Sequence, residues 1–165
     1  MRAAGQARGA KARYGRTATD ATMPVRAAEP RDAAACAAIL NAWIDATDWM
    51  PRVHTSEDVE AYYAETAFPN RRVWVAGDPV AGFMVIDRGE GQITALYVAT
   101  PGKGLGRAFV DLAKSLHDRL ELRTFVANAR ARRFYEREGF VVVRRTAGDN
   151  EEGLPDLLYR WEGAQ

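Results

Sequence analysis

The chain is poor in the residues from which disulfides and metal centres are made. Cys36 is the only cysteine among 165 residues, and His54 and His117 are the only histidines. A lone cysteine excludes an internal disulfide, and with no CxxC pair and no histidine cluster no metal site is expected. Cys36 stands in "DAAACAAIL", on the apolar face of an expected helix, and reads as a buried structural thiol in a reducing, cytoplasmic setting. No run approaches the roughly 18 apolar residues of a membrane span. Nothing resembles the apolar core, about 7–15 residues long, of a secretory signal. Internal repeats and an interdomain linker are missing too. The formal net charge is only +1, so nucleic acid and membrane are not expected as partners.

The charge is nevertheless unevenly spread. Arg2, Arg8, Lys11, Arg13 and Arg16 face Asp20 alone in residues 1–22, which have no apolar periodicity. This segment reads as a disordered basic extension, and residues 23–165 as the folded domain. A basic arm is a generic contact for RNA or anionic lipid; a plain extension is the simpler reading. The rest is long enough for one core.

Hydrophobic period orders that core. A short strand is expected at Val25–Arg26. Pro30 suits a first helical turn, and "RDAAACAAILNAWIDATD" follows with good helix formers. After Pro51, "TSEDVEAYYAET" reads as a second helix capped by Thr55 or Ser56. "RRVWVAG", "PVAGFMVID" and "GQITALYV" are β-rich runs divided by hairpin-length turns. A helix follows, with Leu105, Phe109, Leu112 and Leu116 as its expected apolar stripe. Then come a strand in "LELRTFVA", a helix in "NARARRFYEREG" ended by Gly139, and strands in "FVVVRR" and "LPDLLYRW". The order β-α-α-β-β-β-α-β-α-β-β gives a mixed sheet with helices, not a doubly wound one.

Gly102, Gly104 and Gly106 lie where the fourth strand hands over to a helix. A helix N-terminus presents unpaired N–H groups and partial positive charge, and glycines let an anion reach them. Lys103 and Arg107 add charge. A P-loop would need Ser or Thr after Gly-Lys, and Gly104 follows Lys103 instead. The dinucleotide fingerprint fails because Arg107 stands where its last glycine belongs. On this stretch alone, a phosphate site and a tight structural turn both remain open.

With "FVANARARRFYEREGF" downstream of "LYVATPGKGLGRAFVDLAK", the sequence resembles the GNAT superfamily of acyl-CoA-dependent N-acetyltransferases from about Val25 to Trp161. The resemblance implies a single α/β domain: a mixed, mostly antiparallel sheet, splayed between its fourth and fifth strands, with helices on both faces. It implies acetyl-CoA as co-substrate, with its pantetheine arm on the backbone of Leu96, Tyr97 and Val98. Its pyrophosphate would lie on the amides of Gly102, Lys103, Gly104, Leu105, Gly106 and Arg107. Asn128 matches the family asparagine near the pantetheine, and Tyr135 the family tyrosine near the thioester sulfur. Pro101 departs from the Gln or Arg usual in that loop, and the loop is shorter than the common form.

Acyl transfer needs an uncharged amine, a polarised carbonyl and a proton for the leaving thiolate. A lysine amine, pKa ~10.4, is neutral in only about 1 of 2,500 molecules at pH 7, whereas an α-amine near ~7.7–8 needs far less help. The backbone N–H of Val98 is the candidate for polarising the carbonyl. Tyr135 is the candidate general acid, because a phenol stays protonated below ~10; packing beside Phe134 is its plain alternative. For the base, "GQITALYV" offers no carboxylate. His54, Glu90 beside Asp87, Asp156 and a water chain remain candidates. Arg130, Arg132, Arg133 and Arg137 read mainly as a solvated face balanced by Glu136 and Glu138, with one of them available to a ribose phosphate. Trp43, Trp49, Tyr62 and Tyr63 read chiefly as core, with an acceptor pocket as the alternative. The expected activity is direct acetyl transfer to a primary amine of a small molecule or protein. A non-catalytic acyl-CoA sensor is the rival, and a homodimer is a family-level expectation.

Overall fold

The β-rich middle of the chain forms the sheet because its apolar residues serve two faces at once. The computed structural model describes residues 23–164; the basic segment 1–22 lies outside them. Strands β1 (Val25–Ala27), β2 (Arg72–Ala76), β3 (Gly82–Ile86) and β4 (Gln92–Val98) pair antiparallel in chain order. All five residues of β3 are buried. Phe83 and Val85 face one core with Val73 and Val75, and Met84 and Ile86 face the other. Such two-sided burial needs helices on both faces, and both are covered.

On one face lie α1 (Ala33–Ala46) and α2 (Ser56–Tyr62). Thr55 caps α2 by accepting from the Asp58 amide at 3.1 Å. The helix runs on through a π turn, Tyr63–Ala67, into a last turn, Phe68–Asn70. Cys36, Ala37, Val59 and Tyr63 pack here, and burial pushes the Cys36 thiol up to about 12.

On the other face lie α3 (Leu105–Leu116) and α4 (Ala129–Arg137). The buried face of α3 is Leu105, Phe109, Val110 and Ala113. Leu112 is only half-buried and Leu116 is 42% exposed, so the stripe read from the sequence is corrected in its second half. Small Ala113 lets the helix approach the sheet, while Leu116 ends it at the rim. Fully buried Phe109 anchors the contact. Phe109→Ala is expected to cost about 3–5 kcal/mol in a denaturant titration.

Strands β5 (Arg119–Phe125), β6 (Val141–Thr146) and β7 (Asp156–Glu162) complete one seven-stranded sheet of order β1-β2-β3-β4-β5-β7-β6. The β4–β5 pair is the parallel one, and it has only two registered pairs, Gln92↔Glu121 and Ile93↔Leu122. From Thr94 to Val98 the edge of β4 facing β5 has no ladder partner. The splay expected between these strands is present. No helix among the described residues is long and apolar enough to cross a membrane.

Candidate active site

The parting of β4 and β5 opens a cleft of about 650 Å³. Its walls are the end of β4, the loop into α3, and one face of α4. An unpaired strand edge inside a fold needs hydrogen-bond partners. An extended ligand laid along β4 would supply them.

Gly104 caps α3 in the left-handed region, φ +79°, where a side chain is strained. The first helical bond beyond the cap runs from the Ala108 N–H to the Gly104 carbonyl at 3.1 Å. The Leu105, Gly106 and Arg107 amides therefore have no acceptor further back in the helix. Gly106 is glycine for another reason: a Cβ there would stand 3.2 Å from the Phe134 ring. Bare backbone at this junction thus serves both the helix start and its packing on α4.

Asn128 caps α4, its Oδ1 accepting from the Ala131 amide at 3.1 Å, and it lines the cleft. Lys103, Arg107, Arg130, Arg133 and Arg137 also line the cleft, against Glu138 alone. Arg130, Arg133 and Arg137 follow i, i+3, i+7, one helical face. All three are exposed, as the solvated-face reading has it, and they border the cleft as well. Arg132 turns away, its Nη1 donating to the Val126 carbonyl at 3.2 Å. Glu136 does not balance the arginines either; it accepts from the Tyr159 hydroxyl at 2.7 Å.

Tyr135 is 8% exposed and sits among Phe134, Phe140 and Tyr159. It belongs both to the core and to the cleft lining, so its two readings coexist. Burial, and secondarily the Tyr97 phenol, hold its pKa well above the ordinary tyrosine value. Its hydroxyl is therefore a proton donor throughout the neutral range.

These features fit a long, partly extended anion with a phosphate group at the α3 N-terminus. The protein comparisons point the same way. Residues 69–142 match the family model described as an acetyltransferase (GNAT) domain. The chain is 27% identical to the peptidyl-lysine N-acetyltransferase YiaC of Escherichia coli strain K12, over 78% of this chain and 91% of YiaC. The chain thus carries a GNAT acetyltransferase domain. It is also 36% identical to the mycothiol acetyltransferase of Beutenbergia cavernae, over 54% of this chain but only 35% of that protein. Among solved structures, apo YjaB of Escherichia coli superposes with a TM-score of 0.72 at 26% identity, covering 86% of this chain and 99% of YjaB. YncA of Salmonella typhimurium, solved with its cofactor acetyl-CoA, shares the fold at a TM-score of 0.64 and 22% identity, over 87% of this chain and 95% of YncA.

Every cofactor residue read from the GNAT resemblance lies on this one cleft: Leu96–Val98, Gly102–Arg107 and Asn128, with Tyr135 beside them. The candidate bases do not join them. Asp156 is 4% exposed, and its carboxylate accepts from the Thr146 hydroxyl and from Asn150 Nδ2 at 3.3 Å, with Arg123 at 3.9 Å. It fastens the β6–β7 loop to the sheet. Glu90 lies in the β3–β4 turn, at the opposite end of β4 from the cleft. His54 Nε2 is 3.1 Å from Glu151, and neither residue lines the cleft.

The aromatic residues divide. Tyr63 is core, and Tyr62 is 45% exposed. Trp43 lines the cleft and lies 5.3 Å from Tyr97 and 5.7 Å from Trp49, between ring centroids. Trp49 in turn lies 5.8 Å from Phe125 at the end of β5. A chain of rings thus spans the gap between β4 and β5, and two of them come from the segment around the end of α1. Tandem tryptophans six residues apart before a proline were the one sequence signal for it. Among the described residues no group of three His, Cys, Asp or Glu side chains could hold a metal ion.

Proposed function

We propose that the cleft binds acetyl-CoA and that the protein transfers its acetyl group directly to a primary amine, of a protein lysine or of a small molecule. One observation carries this reading. The β4–β5 pairing stops after Ile93↔Leu122, and the end of β4, the glycine-capped start of α3 and Tyr135 border one cleft. The resemblance to a peptidyl-lysine acetyltransferase supports an amine acceptor. Cys36 is fully buried and outside the cleft lining, which favours transfer without an acyl-enzyme. A single free thiol suits a cytoplasmic setting.

In this reading the amides from Gly102 to Arg107 hold the pyrophosphate, helped by Lys103, Arg107 and the α4 arginines. Leu96, Tyr97 and Val98 offer backbone groups to the pantetheine, and Asn128 its free amide nitrogen. The Val98 N–H polarises the thioester carbonyl. Tyr135 donates a proton to the departing sulfur.

Release of free thiol from acetyl-CoA, followed with a lysine-containing peptide and with small primary amines, tests the reading. Thiol release that depends on an amine supports it. Tight acetyl-CoA binding with no release for any amine would make the protein a sensor instead.

A further inference from the structure

Helix α4 carries positive charge where its own stability argues against it. Arg130 stands in the first turn, where the helix dipole disfavours a cation. Arg133 and Arg137 follow at i+3 and i+7, so like charges repel along one face. All three are exposed, and among the described residues none has an ion pair or a side-chain hydrogen bond. Arg132 is different, being held by the Val126 carbonyl. Glu136, which the helical spacing offers to Arg133 as a partner, is bonded to Tyr159 instead. The row is a local cost that nothing inside the helix offsets.

Its place in the fold supplies a reason. All three arginines border the cleft, as does the start of α3. Phe134 joins the two helices there. A Cβ on Gly106 would stand 3.2 Å from its ring, and the Arg137 guanidinium carbon lies 5.8 Å from the centre of the same ring. Arg130 is one helical turn before Phe134, and Arg133 adjoins it in sequence. The arginine row therefore flanks the point at which the bare first turn of α3 meets α4.

Charge separates this row from a diphosphate on α3. The α3 N-terminus supplies roughly half a positive charge, and Lys103 and Arg107 border the same loop. These already match the two or so negative charges of a diphosphate diester. The α4 row is left over beside them. A phosphate monoester carries about −1.5 to −2 at pH 7, and its oxygens take forked bonds from guanidinium groups.

Resting on the function proposed above, we infer that Arg130, Arg133 and Arg137 form a second anion site, for the 3′-phosphate on the ribose of coenzyme A. The protein therefore selects acetyl-CoA over its 3′-dephospho form. One ribose carries both the diphosphate and the monoester, so a ligand held at the start of α3 brings its monoester to the α4 face packed against that start.

The test is calorimetric titration of acetyl-CoA and of acetyl-3′-dephospho-CoA into the wild type and into the double variant Arg130→Gln/Arg133→Gln. Arg137 stays in place because it packs on Phe134. The wild type should bind acetyl-CoA about 10-fold or more tighter than the dephospho form at low salt, and added salt should narrow the margin. In the double variant the margin should shrink to about threefold or less, chiefly through weaker acetyl-CoA binding. Equal wild-type affinity for the two compounds would overturn the assignment. So would a double variant that loses both by the same factor, since its arginines would then serve the diphosphate alone. A wild type that gives no heat with either compound would sink the acetyl-CoA reading itself and this inference with it, a different result from one that binds both alike.

Discussion

The two sides of the cleft are built by different means. The side we propose for the cofactor is backbone and cation: the open edge of β4, the amides at the start of α3, and arginines at i, i+3 and i+7 on α4. The side we propose for the acceptor is side chain: Trp43, Trp49, Tyr97 and Phe125 in a row. Backbone recognition suits a ligand that never changes. Side-chain recognition suits a partner that differs from one acetyltransferase to the next. The two sides should therefore fail independently, and variants can separate them.

The largest effect is expected where the sides meet. Tyr135→Phe should lower kcat by about 100-fold or more while acetyl-CoA affinity holds, read by thiol release and by calorimetry. Equal loss of both would make Tyr135 a binding or packing residue. Gly104→Ala forces a side chain into φ +79°, at a cost of about 1–2 kcal/mol. It should weaken acetyl-CoA by about 5–30-fold and leave the acceptor KM alone. Trp43→Ala should do the reverse, raising the acceptor KM by about 2–30-fold with acetyl-CoA affinity intact. The smallest change is Lys103→Gln, an exposed cation, which should weaken acetyl-CoA by about 2–5-fold at low salt and by less as salt is added.

pH separates the sides as well. The raised pKa of Tyr135 keeps its proton in place as pH climbs through the neutral range. No alkaline loss of kcat should arise from this residue until beyond the ordinary phenol value of ~10. The same sign governs stability. A phenol that ionises later in the folded than in the unfolded chain contributes stability that is whole below ~10 and fades above it. At the acid end, Asp32, bound by Arg26 at 2.9 and 3.0 Å, has a lowered pKa. Its contribution is whole above the ordinary carboxylate value and is lost as pH falls through its own.

How much could be read in advance follows the same division. The order of strands and helices, and the glycine-rich wall of the cleft, were legible because their requirements are local. A helix start facing an anion writes itself as glycines, and a capped α4 as Asn128. The one-face spacing of the α4 arginines was legible too, but the partner of Glu136 was not. That residue's bond to Tyr159 belongs to the tertiary fold. The aromatic row was not legible as a row, since residues 43, 49, 97 and 125 become neighbours only through the sheet. Asp156 carried the same ambiguity. A carboxylate before a strand looks alike whether it takes protons or, as here, ties Thr146 and Asn150 together.

Calorimetric titration of acetyl-CoA into the wild type, Gly104→Ala and Trp43→Ala tests the central claim most directly. The expected result is one site per chain, weakened in Gly104→Ala and by salt, and unchanged in Trp43→Ala. Absence of heat with the wild type, or equal weakening in both variants, would contradict it.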